Sequence, residues 1–269
     1  MTTRVRFPAV AGLFYPKDAR SLAAEVDRYL AARRSDRPAA IGPKVIVVPH
    51  AGYRFSAAVA AHAYALVDEL EPKPTRVVLL GPSHTVPLRA MAVSAADVWR
   101  TPLGDVAVDR GTVDDLATLP GVVVDEVPHM REHALEEQVP FLQRLLPDGF
   151  ELVPVVVGHT EPGEVAALLD RCWGTEETLI VISTDLSHYL PLPEAQSLDR
   201  VTVDAVLAGD LDAITTDRAC GAMPLKGAVV AAKRHGLQAR LLAMATSADA
   251  GGDHWRVVGY GSFAYASAA

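Results

Sequence analysis

Short apolar runs alternate along the chain with longer segments whose apolar residues recur every three or four positions. The runs predict buried strands at KVIVVP (44–49), RVVLLG (76–81), ELVPVVVG (151–158) and TLIVIST (178–184). Two further strands are predicted near the carboxyl terminus, at RLLAMAT (240–246) and WRVVGYGSFAY (255–265). Because proline lacks an N–H group, Pro154 predicts that its strand lies at an edge or contains a bulge.

Helical periodicity predicts helices between these strands, over residues 18–34, 56–70, 134–146, 162–173, 194–208 and 224–235. Asp18 and Ser56 are expected to cap the first two helices. Pro140 is expected to kink or split the third. The stretch RSDRPAAIGP (34–43) resembles a linker between a helix and a strand, and it is too short to separate two domains.

Strands that are apolar along their whole length and alternate with helices indicate a sheet covered on both faces. The expected fold is therefore α/β: a single domain over residues 1–269, with a central, mixed, mostly parallel sheet and helices on both faces. In such a sheet, ligands bind beyond the carboxyl ends of the strands. The loops that follow the strands are therefore the expected place for a functional site.

Three of these loops carry histidine. His50 directly follows the first predicted strand, His84 follows the second in GPSH, and Asp185 and His188 follow TLIVIST. If the strands are parallel neighbours, these side chains meet at one edge of the sheet. Imidazole and carboxylate groups are metal ligands or acid–base groups, so the sequence predicts a shared site of that kind.

A fourth polar segment, REHALEEQVPF (131–141), precedes and begins a predicted helix. Glu136 lies one helical turn from His133, and two interpretations remain open. The acidic residues can form an exposed first turn that complements the helix dipole. Alternatively, Glu136 holds His133 toward the site, where the imidazole supports a ligand or donates a proton.

The two cysteines do not form a disulfide framework, and a reducing compartment is expected. Cys172 lies on an amphipathic helix beside Trp173 and is expected in the core. Cys220 lies among small residues in RACGAMP, where an inert buried thiol, a metal ligand and a nucleophile all remain open.

The charge of the chain excludes some classes of partner. Half of the residues are apolar, and 25 basic residues against 33 acidic ones give a net charge of −8. An acidic chain lacks the basic face that nucleic acids require. No apolar segment approaches the ~18 residues of a membrane span, and no signal peptide is evident. We therefore expect a cytoplasmic protein that binds neither nucleic acid nor membrane; a homodimer is compatible with its size and charge.

Seven ordered motifs between Phe7 and Tyr260 resemble those of the Memo family, whose bacterial and archaeal members are called AmmeMemoRadiSam system protein B. They read FPAVAGLFYP, VVPHAGYRFS, GPSH, TPLG, EHALEEQVPFLQ, STDLSHY and ACG. The resemblance covers nearly the whole chain. It implies a fold similar to that of the class III extradiol dioxygenases, the non-haem iron enzymes that open catechol rings.

The resemblance also implies a ligand set. Memo proteins have two histidines and a cysteine in the pocket, and these match His50, His84 and Cys220. Asp185 and His188 belong to the same pocket, with His188 where the dioxygenase base would lie. The family motif also contains Glu132 and His133, and His133 is a further catalytic candidate.

A thiolate ligand favours copper, zinc or iron(II), and it is easily oxidised. The resemblance therefore implies iron(II) or copper, with zinc possible, and a redox or oxygenase-like role. Ring cleavage does not follow from the fold. Two alternatives stay open: a peptide- or protein-binding module with a vestigial pocket, and a zinc-dependent hydrolase. The expected partners are a small molecule or a peptide, and AMMECR1-like and radical SAM proteins.

Overall fold

The structure is a computed structural model that describes residues 2–33 and 42–267. Most of the predicted linker, over residues 34–41, lies outside the described residues.

The described residues form twelve strands. They are β1 (Val5–Arg6), β2 (Val45–Val48), β3 (Arg76–Pro82), β4 (Met91–Val93), β5 (Val98–Thr101), β6 (Gly104–Val108), β7 (Val122–Val124), β8 (Glu151–Val157), β9 (Thr178–Ser183), β10 (His188–Leu190), β11 (Leu237–Thr246) and β12 (Val257–Ser267). All twelve belong to one mixed sheet.

The same residues form eight α-helices. They are α1 (Ala19–Ala31), α2 (Tyr53–Val67), α3 (Arg110–Leu116), α4 (Val127–Met130), α5 (Val139–Leu145), α6 (Pro162–Arg171), α7 (Leu192–Ala208) and α8 (Ala222–Arg234). Two 3₁₀ helices, Glu136–Gln138 and Ser247–Ala250, complete the regular elements.

The strand order is β1-β5-β6-β8-β3-β9-β2-β12-β10, with β11 paired to β12 and β4 paired to both β7 and β8. The central strands β8, β3, β9 and β2 are parallel. They are almost entirely buried, as expected for parallel strands covered on both faces. Helices α1, α2 and α5 pack together, and α6 packs on α8. The predicted α/β architecture is confirmed.

The predicted helix caps and the predicted break at Pro140 were partly right. Asp18 caps α1 by accepting a hydrogen bond from the Ser21 N–H group at 2.8 Å. The prediction for Ser56 was wrong, because α2 begins at Tyr53 with Gly52 as its cap. Ser56 instead lies inside the first turn and donates to the Ala51 carbonyl. Pro140 does split its segment, since α5 begins only after the 3₁₀ helix.

The position of Pro154 differs from the prediction. Its strand, β8, is central rather than an edge, and Pro154 pairs in register with Leu79 of β3. On its other side β8 pairs with β6 at Glu151 and Leu152 and with β4 from Val155 onward. The proline lies in the gap between these two neighbours, where an N–H group is not needed for pairing.

Several short elements were missed. The strands β1, β4 to β7 and β10 and the helices α3 and α4 have two to seven residues each. Segments this short carry too few apolar positions to define a period. Their formation depends on neighbours that are distant in the sequence.

Candidate metal centre

The strands β3, β9 and β2 lie side by side and parallel, so their carboxyl ends reach one edge of the sheet. His84, Asp185 and His50 follow these three strands. Cys220 reaches the same place from the residues before α8. One side-chain atom from each of His50, His84 and Cys220 lies within 4.8 Å of the others.

The His50 ring is buried and held in one orientation. Its Nδ1 atom is 2.9 Å from the Ser183 hydroxyl, which itself donates to the Ala134 carbonyl at 2.6 Å. Because that hydroxyl hydrogen is used, the hydroxyl oxygen accepts from Nδ1–H, and this fixes the tautomer. The unprotonated Nε2 atom then faces Cys220 Sγ at 3.2 Å. This is the state in which imidazole binds a metal.

Glu132 holds the His84 ring. The fully buried carboxylate lies 2.8 Å from His84 Nδ1 through Oε1 and accepts from the His84 N–H group at 2.7 Å through Oε2. Both carboxylate oxygens are therefore engaged by His84, so Glu132 orients this histidine, and Nε2 is the nitrogen left to face a ligand. His84, Glu132 and His133 also form a second close group, in which His133 Nδ1 lies 3.4 Å from Glu132 Oε1.

Gly81, next to the last residue of β3, is required for steric reasons. A Cβ atom at Gly81 would lie 2.6 Å from Leu135 Cδ1 and 3.3 Å from Ala134 Cβ. The absence of a side chain lets the 134–135 segment pack directly against the strand end. This packing brings Glu132 beside His84, so the glycine serves the position of the histidine.

Cys220 lies against the end of β9. Its Sγ atom accepts a hydrogen bond from the Asp185 N–H group at 3.3 Å. The next residue, Gly221, donates its N–H to the Thr184 hydroxyl at 2.8 Å, and a Cβ atom there would meet Thr184 Cβ at 2.6 Å. Burial, and then the nearby Asp185 carboxylate, raise the pKa of the Cys220 thiol to about 12. A cation bound between the three side chains would favour the thiolate.

Asp185 joins two of the loops. Its Oδ1 atom accepts a hydrogen bond from the His50 N–H group at 2.7 Å, so the ends of β2 and β9 are tied together. Burial raises the pKa of Asp185 to about 7.

His133 and His188 line the same cavity of about 810 Å³ as the three close residues. The His133 ring stacks on His84 at 4.8 Å between centroids and is perpendicular to His50 at 5.4 Å. Burial lowers the pKa of both His133 and His188 below the usual value for imidazole. The structure thus brings together all six residues that the sequence singled out.

Neither interpretation of Glu136 was right. The side chain is buried, pairs with Arg6, and accepts hydrogen bonds from the Ala9 and Val10 N–H groups at 2.7 and 3.1 Å. The Tyr15 hydroxyl donates to it as well. A carboxylate can reach these groups because the 7–16 segment folds back over the site. Glu136 therefore anchors that segment, and it does not hold His133.

Sequence reasoning missed the walls of the cavity. Leu13 and Phe14 of the anchored segment line it, and so do Tyr189 and Arg256. Tyr189 has a positive φ of 58°, and its ring lies 5.1 Å below the Arg256 guanidinium. The available signals were the motif FPAVAGLFYP, which contains Leu13 and Phe14, and the final tyrosine of STDLSHY, and neither had an assigned role. Cys172, by contrast, is buried in the core as predicted.

Two histidines and one cysteine on one side of an open cavity could hold a metal ion as three ligands, which would leave a coordination position for another molecule. These donors fit a soft or borderline transition metal, because the cysteine would bind as a thiolate and both imidazoles are pre-oriented. The arrangement differs from a closed structural site, in which four protein ligands surround the ion.

None of the helices in the described residues has the length and apolar character of a membrane span.

Comparison with known proteins identifies the family of this chain. The family model described as "Memo-like protein" matches residues 6–264. A MEMO1 family protein of Aquifex aeolicus is 36% identical over 268 residues, which cover 96% of this chain and 97% of the relative. Similar proteins of Methanococcoides burtonii and Sulfolobus acidocaldarius are 37% and 33% identical, over 95% of this chain and 98% and 97% of theirs. The chain belongs to the Memo-like family.

Proposed function

We propose that this protein binds one iron(II) or copper ion through His50, His84 and Cys220 and uses it in a redox or oxygenase-like reaction. The main observation in support is that the Nδ1 atoms of both histidines are hydrogen-bonded, in His50 to Ser183 and in His84 to Glu132. Such oriented imidazoles are typical of built metal sites. Zinc fits the same donors and would make a hydrolase the better assignment.

The bound metal would supply electron transfer or activation of a ligand at its open position. The surrounding residues would prepare that ligand. His188 and His133 face the cavity and would accept or donate protons, while Asp185 keeps the His50 loop in place. The apolar wall formed by Leu13 and Phe14 would exclude water from the inner part of the cavity.

Metal content tests this proposal. Protein is purified without oxygen and without an affinity tag, and the wild type is compared with His84→Ala by mass spectrometry. Near-stoichiometric iron or copper in the wild type, lost in the variant, is the expected result. Stoichiometric zinc would favour the hydrolase.

The absence of metal in both proteins, even after reconstitution, would refute the proposal and leave the cavity as a binding site for a peptide or protein. A His159→Ala variant is the matched control, because its imidazole lies outside the three-ligand set. Its metal content is expected to equal that of the wild type.

A further inference from the structure

We infer that a second cavity gives small anions their own route to the Cys220 sulfur. Cys220 and Thr216 line the main cavity of about 810 Å³, and both also line a separate cavity of about 540 Å³. His50 and His84 line the main cavity alone. A volume of this size is in the range that holds a small molecule. Cys220 therefore borders both cavities.

The walls of the second cavity come from three elements. The loop after β3 contributes Ser83 and Arg89, the end of β8 contributes His159, and the start of α8 contributes Met223. The loop packs directly on Gly158, where a Cβ atom would lie 2.2 Å from the Leu88 carbonyl oxygen. The cavity is thus built from fixed backbone.

Arg89 is held at this wall by its neighbours. The Leu88 carbonyl accepts from the His159 N–H group at 2.8 Å, and the Ala90 carbonyl accepts from the Gly158 N–H group at 3.0 Å. These two bonds flank Arg89 and fix its backbone. Within residues 2–33 and 42–267, the exposed Arg89 side chain forms no ion pair or hydrogen bond. A positive charge is therefore available to a ligand.

The two cavities differ in charge. Arg89 is the one residue with a permanent charge among the described residues that line the second cavity. The main cavity is lined by Asp185, Asp217 and Asp253 against Arg256. The chain has a net charge of −8, so a cavity whose permanent charge is positive differs in sign from the protein as a whole. The second cavity favours a small anion such as a carboxylate, whereas the main cavity favours a neutral or cationic ligand.

The biological meaning of this route rests on the proposed function. A metal centre that combines two reactants gains from separate entrances, because a larger ligand in the main cavity would not block a small anion. The access itself does not depend on a metal. It is therefore tested on metal-free protein, so a failure here is distinguishable from a failure of the metal proposal.

Two thiol reagents of similar size and opposite charge test the route: sulfonatoethyl methanethiosulfonate, an anion, and trimethylammonioethyl methanethiosulfonate, a cation. In each case the Cys220 thiolate attacks the sulfenyl sulfur, forms a disulfide and releases methanesulfinate. Peptide mass mapping follows the rate at Cys220. Buried Cys172 is the internal control for unfolding, because it should stay unlabelled in folded protein.

Arg89→Gln is expected to slow the anionic reagent about fivefold at low salt, the effect of removing one nearby charge. It should leave the cationic reagent unchanged. Met223→Trp, which fills the second cavity, should also slow the anionic reagent selectively. Arg256→Gln is the matched control in the main cavity and should have no such effect. The inference is overturned if Arg256→Gln rather than Arg89→Gln slows the anion, or if the anionic reagent fails to label native Cys220.

Discussion

The Nε2 atom of His50 lies 3.2 Å from the Sγ atom of Cys220, although 170 positions separate the two residues in the chain. The Nδ1 atom of His50 is engaged by Ser183, so Nε2 is the ring nitrogen that faces the sulfur. The pair defines two corners of the proposed metal centre, and His84 defines the third.

Cys220→Ser is expected to weaken copper binding by more than about 100-fold, because it replaces a thiolate by a hydroxyl that stays protonated near neutral pH. Competition titration with a copper chelator measures the affinity. Cys172→Ala is the control, because Cys172 is buried in the core and donates to the Leu168 carbonyl. Unchanged copper affinity in Cys220→Ser would show that the cysteine is not a ligand.

Glu132→Gln is expected to lower metal affinity by about 10- to 100-fold while the binding stoichiometry is retained. The amide keeps the shape of the carboxylate but cannot accept from both His84 N–H groups in the same way. The same titration gives both quantities. Glu126→Gln is the matched control: Glu126 also accepts from backbone N–H groups, at Ala95 and Ala96, but lies outside the site. Equal losses in the two variants would argue against an orienting role.

Glu136→Gln is expected to cost about 3–5 kcal/mol of folding free energy, because it leaves the buried Arg6 guanidinium without its charge partner. Urea unfolding at neutral pH measures the difference. Arg144→Gln, which removes the exposed pair with Asp27, should have a much smaller effect because solvent screens that pair. Similar losses in both variants would contradict the assignment of Glu136 as the anchor of the amino-terminal segment.

Replacement of the neighbouring Glu137 should stabilise the protein, whereas replacement of Glu136 should destabilise it. Both of its carboxylate oxygens are buried without a hydrogen-bond partner among the described residues. Burial raises its pKa well above the ordinary value of 4.5, and the nearby Asp185 and Glu136 raise it further. The folded protein therefore keeps this proton at a pH where the unfolded chain releases it. As a result, the contribution of Glu137 to the stability of the wild type falls as the pH rises above 4.5.

Glu137→Gln removes this penalty. The variant is expected to be more stable than the wild type at pH 8, by about 1–3 kcal/mol, and nearly equal to it at pH 4. Urea unfolding of both proteins across this range measures the difference, in which the effects of other titrating groups largely cancel. A difference that does not change with pH would mean that Glu137 is ionised in the folded state.

Much of the fold could be predicted from local pattern. The apolar runs identified β2, β3, β8 and β9 because strands buried on both faces need apolar residues on both sides. The positions of His50 and His84 followed from the same pattern, since parallel neighbours end at one edge. Pro154 was misplaced because its effect depends on which strands lie beside β8, and the pattern within β8 does not contain that information.

The sequence by itself determined the α/β architecture, the strand ends that carry histidine, and, through its ordered motifs, the Memo-like family. Only the tertiary structure decided what each polar side chain does there. Glu136 and Glu137 are adjacent and chemically identical, yet Glu136 is paired, whereas the Glu137 carboxylate has no hydrogen-bond partner in the described part of the chain. The physical reason is that hydrophobic periodicity is local, whereas the partners of a buried charge come from distant segments that meet only in the folded chain.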